Sequence, residues 1–205
     1  CQLQERYKLK AISCSVDDFY FSKEKRLDLA HSIHPLLTTR GVPGTHNIPL
    51  LTQTLANFSE QKVNWKLTQF DKVTDNPKPE KQWPLINTRM DIVIIEGWCW
   101  GVPAQTNNAL ISPTNTFETE YDLGAKWRNY VNQQIREFYQ NLYNQMDLMV
   151  MLKAPSFDCV YQWRLEQEQK LSKTTKNSVM NESDIAQYIQ YYQRHTKHAL
   201  AVLPE

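Results

Sequence analysis

Glycine is scarce in this 205-residue sequence. The five glycines stand at 41, 44, 97, 101 and 124, and no Gly-x-x-x-x-Gly-Lys-Ser/Thr loop for cradling nucleotide phosphates occurs. Cysteine is rarer still: Cys1, Cys14, Cys99 and Cys159 are scattered, without a Cys-x-x-Cys pair or the density of a disulfide framework. Reduced thiols and a cytoplasmic location are therefore expected. No apolar run approaches the roughly 18 residues that span a bilayer, and no signal peptide is visible, so a membrane partner is not expected. An excess of either charge is also missing. The 23 Lys plus Arg meet 22 Asp plus Glu, a net charge of +1, which gives no basic field for nucleic acid. Any anion site must be local. The length and a 41% hydrophobic content suit one domain, 1–205, with a real core.

Against this background the stretch 91–101, Asp-Ile-Val-Ile-Ile-Glu-Gly-Trp-Cys-Trp-Gly, is the anchor. Four β-branched residues in succession, Ile92, Val93, Ile94 and Ile95, suit a strand covered on both faces, as in a parallel sheet. Glu96 then falls at the strand's carboxyl end, the edge where open α/β sheets bind ligands. A carboxylate there holds a metal ion or orients a hydroxyl group, and Gly97 leaves room for a close approach. The plainer alternative is a buried strand that ends at a solvated Glu.

Residues 9–16 read as a second strand, which breaks into Asp17-Asp18-Phe19-Tyr20. Two Asp residues at a strand end point to chemistry, or to a turn or helix cap. A short helix is expected over 22–30 and another over 48–58, the latter capped by Asn47. Between them, residues 38–47 combine Gly41, Gly44 and Pro43 with Arg40 and His46. Glycine turns expose backbone N–H groups, and a neighbouring Arg pairs bidentately with phosphate or carboxylate. Residues 65–70 alternate as a strand would and lead into Asp71-Lys72, followed by an exposed loop over 73–84. A second long loop covers 102–116.

The spacing of Leu123, Trp127, Val131, Ile135, Phe138 and Leu142 predicts one long helix over 117–146, with Gly124 as an early interruption. The apolar run 148–152 reads as a further buried strand ending at Lys153. Helices follow from 156 and over 182–200, separated by a polar stretch, 172–178, expected to be mobile. This alternation implies an α/β sandwich with a mainly parallel sheet. Asp17-Asp18, Asp71-Lys72, Glu96 and Lys153 are then expected to converge on one sheet edge, as an enzyme handling an anion requires.

Five motifs carry a family resemblance: Ser15-Val16-Asp17-Asp18-Phe19-Tyr20, Arg40-Gly41-Val42-Pro43-Gly44-Thr45-His46, Phe70-Asp71-Lys72, Ile95-Glu96-Gly97-Trp98, and Tyr161-Gln162-Trp163-Arg164-Leu165-Glu166-Gln167-Glu168. In this order the chain resembles the D-glycerate 3-kinase branch of P-loop kinases and its bacterial kinase-like relatives. More distantly it is similar to uridine kinase, phosphoribulokinase and pantothenate kinase. The resemblance implies a three-layer αβα sandwich of the P-loop NTPase type and ATP-dependent phosphorylation of a small hydroxyl compound with Mg²⁺.

Carried over residue by residue, the resemblance makes Asp17 the candidate general base and, with Glu96, a candidate metal ligand. Tyr20 would line the acceptor pocket. Arg40 and His46 would hold the substrate carboxylate or the transferred phosphate, with Lys72 as a further anion contact. Arg164 would be a lid arginine that neutralises charge on the phosphoryl group. Plainer roles stand beside these: a cap for Asp18, a surface charge for Lys72, a turn residue in His46, a helix-surface partner of Glu168 in Arg164. In the family the phosphate loop precedes the Asp-Asp strand. Its absence here implies an amino-terminally truncated domain that lacks the first strand, and poor ATP binding by this polypeptide alone. Asn47, where the family has an acidic residue, bears on substrate identity. Two alternatives remain: a non-catalytic kinase-fold binding module, and a kinase for another acceptor, a nucleoside or a different hydroxy acid.

Overall fold

A computed structural model describes residues 2–174 and 180–203, and the chain divides into two compact units, 1–100 and 101–205. In the first unit α1 (Gln2–Tyr7) precedes β1 (Ala11–Ser15), and a 3₁₀ turn, Val16–Phe19, follows directly. The Ser15 side chain accepts the Asp17 N–H and so starts that turn. α2 (Lys23–Ser32) begins where Ser22 accepts from the Lys25 N–H, and α3 (Ile48–Ser59) where the Asn47 side chain accepts from the Leu50 N–H. Both caps satisfy donors that a helix start leaves open.

Short strands β2 (Trp65–Lys66), β3 (Phe70–Asp71), β4 (Asn76–Pro77) and β5 (Leu85–Ile86) lead to β6 (Ile92–Glu96). β1 and β6 pair in parallel, Ala11 opposite Ile92 and Ser15 opposite Glu96. The other ladders among the described residues, β2 with β5 and β3 with β4, are antiparallel. The stretch 65–70 is thus two strand fragments in different ribbons rather than one strand of the parallel sheet. Asp71 ends β3 of an antiparallel ribbon, and Lys72 enters its hairpin turn, so neither ends a strand of the parallel pair.

β6 also departs from the covered strand expected. Its neighbour among the described residues is β1 alone, and Ile94 is 43% exposed. At Gly97 the reason for glycine is packing: an added Cβ would stand 3.0 Å from the Val16 Cβ. The group that approaches this backbone is Val16, and it locks the two strand ends together.

The second unit contains α4 (Thr116–Tyr121), α5 (Lys126–Gln134), a π turn over Ile135–Tyr139, α6 (Gln140–Tyr143), α7 (Asp158–Thr174) and α8 (Glu182–Val202). The single helix expected over 117–146 is broken at 122–125. Gly124 lies in this break, as expected, although no neighbour there requires the absence of a side chain. Asp122 starts the next helix: its carboxylate accepts from the Trp127 and Arg128 N–H groups, at 2.8 and 3.1 Å, and caps it. Ala125 turns the chain with φ +57°. Trp127, Val131, Ile135 and Leu142 are buried as their spacing predicted, whereas Leu123 and Phe138 are exposed.

Residues 148–152 form no strand, and Leu148, Val150 and Leu152 are exposed. An apolar run becomes a strand only where a neighbouring backbone accepts its hydrogen bonds, and no described strand pairs with this one. Lys153 therefore ends no sheet strand. Of the polar stretch 172–178, the backbone to Thr174 belongs to α7 and the rest lies outside the described residues. No helix among the described residues is long and apolar enough to cross a membrane.

Two buried ion pairs hold the loop that precedes α4. Arg194 meets Glu118 through Nε–Oε1 at 2.7 Å and Nη2–Oε2 at 2.6 Å, and also donates to the carbonyls of Ala109 and Ser112. Arg128 pairs with Asp122 and donates to the carbonyls of Leu110 and Ile111. Two guanidiniums thus satisfy a run of loop carbonyls that no ladder reaches.

Candidate active site

The parallel register sets Ser15 beside Glu96, and the 3₁₀ turn after Ser15 presents Asp17 near the same strand ends. Both oxygens of Asp17 are engaged. Oδ1 accepts from the Tyr20 hydroxyl at 2.8 Å, and Oδ2 pairs with Lys72 Nζ at 2.7 Å. Burial favours protonation of Asp17, but the hydrogen bonds from Lys72 and Tyr20 and the Lys72 charge outweigh it and hold the carboxyl below its usual range. Asp17 is a carboxylate at neutral pH. Asp18 points to a different task and accepts from the Phe70 N–H at 3.0 Å, which fastens the β3–β4 hairpin to the turn.

Tyr20 and His46 form one buried stack, with ring centroids 4.4 Å apart and planes at 21°, and Phe70 meets Tyr20 edge-on. They also form an isolated antiparallel bridge. Burial pushes the His46 imidazole down to about 3 against the raising influence of Asp17, so the ring is neutral at physiological pH. It offers packing and hydrogen bonds there, not a cation.

The glycine loop lies against this stack. Gly41 and Gly44 have φ of +139° and +94°, values that side chains rarely tolerate. The loop turns its backbone donors inward: the Gly41 N–H donates to the Thr45 hydroxyl and the Thr45 N–H to the Val42 carbonyl. The Asn47 N–H donates to the Phe19 carbonyl. The Gly41 and Thr45 donors are thus used within the loop and that of Asn47 by the 3₁₀ turn, and Arg40 is the loop's partly exposed cation. Arg40 Nη1 pairs with Asp75, and its guanidinium lies 5.6 Å from the Phe70 ring centroid.

Sequence reasoning passed over Asp75 and Arg26. Asp75 sits in the β3–β4 turn with φ +57°, and Arg26 is fully buried on α2. An acidic residue in a turn and a cation in a helix carry no individual signal, so only the folded arrangement reveals the pair.

Among the described residues no three His, Cys, Asp or Glu side chains form a closed metal cage. Mg²⁺ requires less, since one or two carboxylates, waters and substrate phosphates complete its shell. Glu96 meets that requirement: it is exposed and makes no side-chain hydrogen bond or ion pair among the described residues. Each Asp17 oxygen already accepts one hydrogen bond, so a metal there would share those oxygens with Tyr20 or Lys72. The neighbouring thiols of Cys14 and Cys99 are pushed up to about 12, mainly by burial, and are inert at neutral pH.

In the second unit, Arg164 on α7 is held by its own surroundings. It pairs with Glu168 at 2.5 Å, donates to Gln167 and lies 5.0 Å from the Tyr188 ring centroid. Glu168 is buried and its other oxygen accepts from the Met180 N–H.

No protein-family model matches the chain. It is distantly homologous over most of its length to D-glycerate 3-kinase and to fungal kinases. Uncharacterized kinase mug58 of Schizosaccharomyces pombe is 28% identical over 88% of this chain and 67% of its own length. The chloroplastic D-glycerate 3-kinase of Arabidopsis thaliana is 24% identical over 78% of this chain and 35% of its own. Probable ATP-dependent kinase TDA10 of Saccharomyces cerevisiae is 28% identical, over 87% and 62%. The chain thus spans between a third and two thirds of these relatives. Among solved structures, D-glycerate 3-kinase from Cryptococcus neoformans superposes with a TM-score of 0.80 and 26% identity, covering 95% of this chain and 71% of that one.

Proposed function

We propose that this sequence carries the acceptor side of an ATP-dependent kinase for a small hydroxyl-bearing metabolite, of the D-glycerate 3-kinase type, in a P-loop-kinase-like α/β sandwich. The observation that carries the reading is Asp17: an ionised carboxylate, positioned by Tyr20 and Lys72, at the end of a strand whose parallel neighbour ends in Glu96. The distant homology to kinases supports the same reaction class.

In this reading Asp17 accepts the proton of the acceptor hydroxyl as its oxygen bonds the γ-phosphorus of ATP and the bond to the β-phosphate oxygen breaks. Tyr20 orients Asp17, and His46 supports Tyr20 as a neutral, stacked base plate. Arg40 receives the acceptor's carboxylate or the transferred phosphate, and Lys72 offsets negative charge beside the base. Glu96 would hold Mg²⁺, which when bound supplies positive charge to the phosphates. Arg164 is the proposed lid cation, and Glu168 sets where it rests.

The test is turnover of ATP by the native gene product that carries this sequence, across a panel of hydroxy acids and nucleosides. Formation of phosphoglycerate from D-glycerate supports the reading. Preference for a nucleoside would keep the reaction class and change the acceptor, and no phosphorylation of any acceptor would leave a binding module.

A further inference from the structure

Arg40 is held by a residue to which no role has been assigned. Asp75 gives one carboxylate oxygen to Arg40 Nη1 and the other to Arg26 Nη2, the latter at 2.6 Å. Arg26 cannot follow a moving partner. It is 1% exposed, its Nε donates to the Phe21 carbonyl at 3.2 Å and its Nη1 to the Thr38 carbonyl at 2.7 Å, while Nη2 also reaches the Asp75 carbonyl at 3.2 Å. The buried guanidinium therefore fixes both the backbone and the carboxylate of Asp75. In turn Asp75 fixes one edge of the Arg40 guanidinium, and the Phe70 ring sets its height.

Two features give this relay a purpose beyond stability. Two guanidiniums share one carboxylate, so a net positive charge remains at the half-buried Arg40 end. Among the described residues Arg40 makes no other hydrogen bond, which leaves Nε and Nη2 as donors. A guanidinium whose one edge is held presents a fork of the geometry that suits carboxylate and phosphate oxygens, with its orientation set in advance.

We propose that Asp75 is the positioning residue for Arg40, acting from the buried anchor Arg26, and that the pair presents a prepared binding fork for an oxyanion. This deepens the proposed acceptor site and rests on Arg40 being its anion ligand. The same turn carries Lys72 to Asp17, so one hairpin sets both the anion fork and the base.

Turnover is not needed for the test. Arginine Nε–H signals of the native gene product are followed by NMR during titration with inorganic phosphate, and Arg40→Gln assigns the Arg40 signal. Saturable movement of that signal, with affinity at least fivefold weaker in Asp75→Asn, is the expected result. Asp75→Glu keeps Arg26 paired but lengthens the arm, and is expected to weaken phosphate at least threefold while retaining the melting temperature. It carries the test where Asp75→Asn does not fold. Adding Asp75→Asn to Arg40→Gln should change residual phosphate affinity no further. A merely structural Asp75 would lower the melting temperature and leave phosphate affinity at Arg40 unchanged. That outcome, or a wild-type Arg40 signal that phosphate does not move, overturns the proposal. A protein that fails to phosphorylate D-glycerate yet shows the Asp75 dependence would retain this inference and lose the acceptor reading.

Discussion

The Tyr20 hydroxyl donates to Asp17 Oδ1 at 2.8 Å across a single 3₁₀ turn. This one bond orients the carboxylate, opposes its protonation and joins it to the buried aromatic stack that shapes the site.

Asp17→Asn keeps the shape and the acceptor oxygen for Tyr20 but removes the base. We expect kcat for ATP-dependent phosphorylation by the native gene product to fall at least a hundredfold, as loss of a general base does. The binding of the acceptor should change little. Steady-state assay beside acceptor titration checks this, and undiminished turnover removes the role.

Tyr20→Phe and Lys72→Met each delete a hydrogen bond that holds the Asp17 carboxyl below its usual range. In either variant that carboxyl rises, the base is protonated at higher pH, and the acid limb of kcat/KM should move upward. The stability cost of Lys72→Met should stay below about 1 kcal/mol, because Lys72 is largely exposed. A pH–rate profile that superposes on the wild type would show that the limb belongs to another group.

The two buried imidazoles predict how stability depends on pH. His46 and His195 are pushed down from 6.5 to about 3, chiefly by burial, so the folded protein leaves them neutral where the unfolded chain protonates them. The unfolded state then binds more protons between about pH 6.5 and 3, and stability falls as pH falls through that window. Well inside the window each group contributes about 1.4 kcal/mol per pH unit. Denaturant unfolding at pH 7.5 and 5.5 measures the slope. His195→Gln should flatten it, and an unchanged slope would mean that the ring is protonated in the fold.

Arg194→Met leaves Glu118 charged, buried and without its bidentate partner, and strands the Ala109 and Ser112 carbonyls. Loss of one member of a buried pair costs about 3–5 kcal/mol. Urea unfolding is expected to show a loss in that range. A loss below 1 kcal/mol would mean that water reaches Glu118 and the pair is not a structural clamp.

Local chemistry made much of this legible from residues alone. Asn47 announced a helix start because its side chain competes for backbone donors in any context. The β-branched run before Glu96 and the residues before Asp17 announced strands of a parallel sheet, but their register is visible only in the fold. Residues 148–152 misled because an apolar run records what the chain can bury, not whether a strand stands ready to pair. Leu123 fitted the helical spacing but lies in the break before α5, whose start Asp122 caps. The Arg26–Asp75–Arg40 relay was illegible because its members are 14 and 35 positions from Arg40 and no periodicity links them.

The β1–β6 pairing also orders events during synthesis. Ala11 meets Ile92, and the adjoining Lys10–Asp91 contact spans 81 positions. The hairpin that carries Lys72 and Asp75 closes over a few residues, on a scale of about microseconds. Joining β1 to β6 restricts a far longer loop, at an added cost of about 0.6 kcal/mol per doubling of its length. A nascent chain that ends before residue 92 therefore contains every residue of the hairpin but cannot form the strand pair. The two strand ends meet only after the turn beside them has been synthesised.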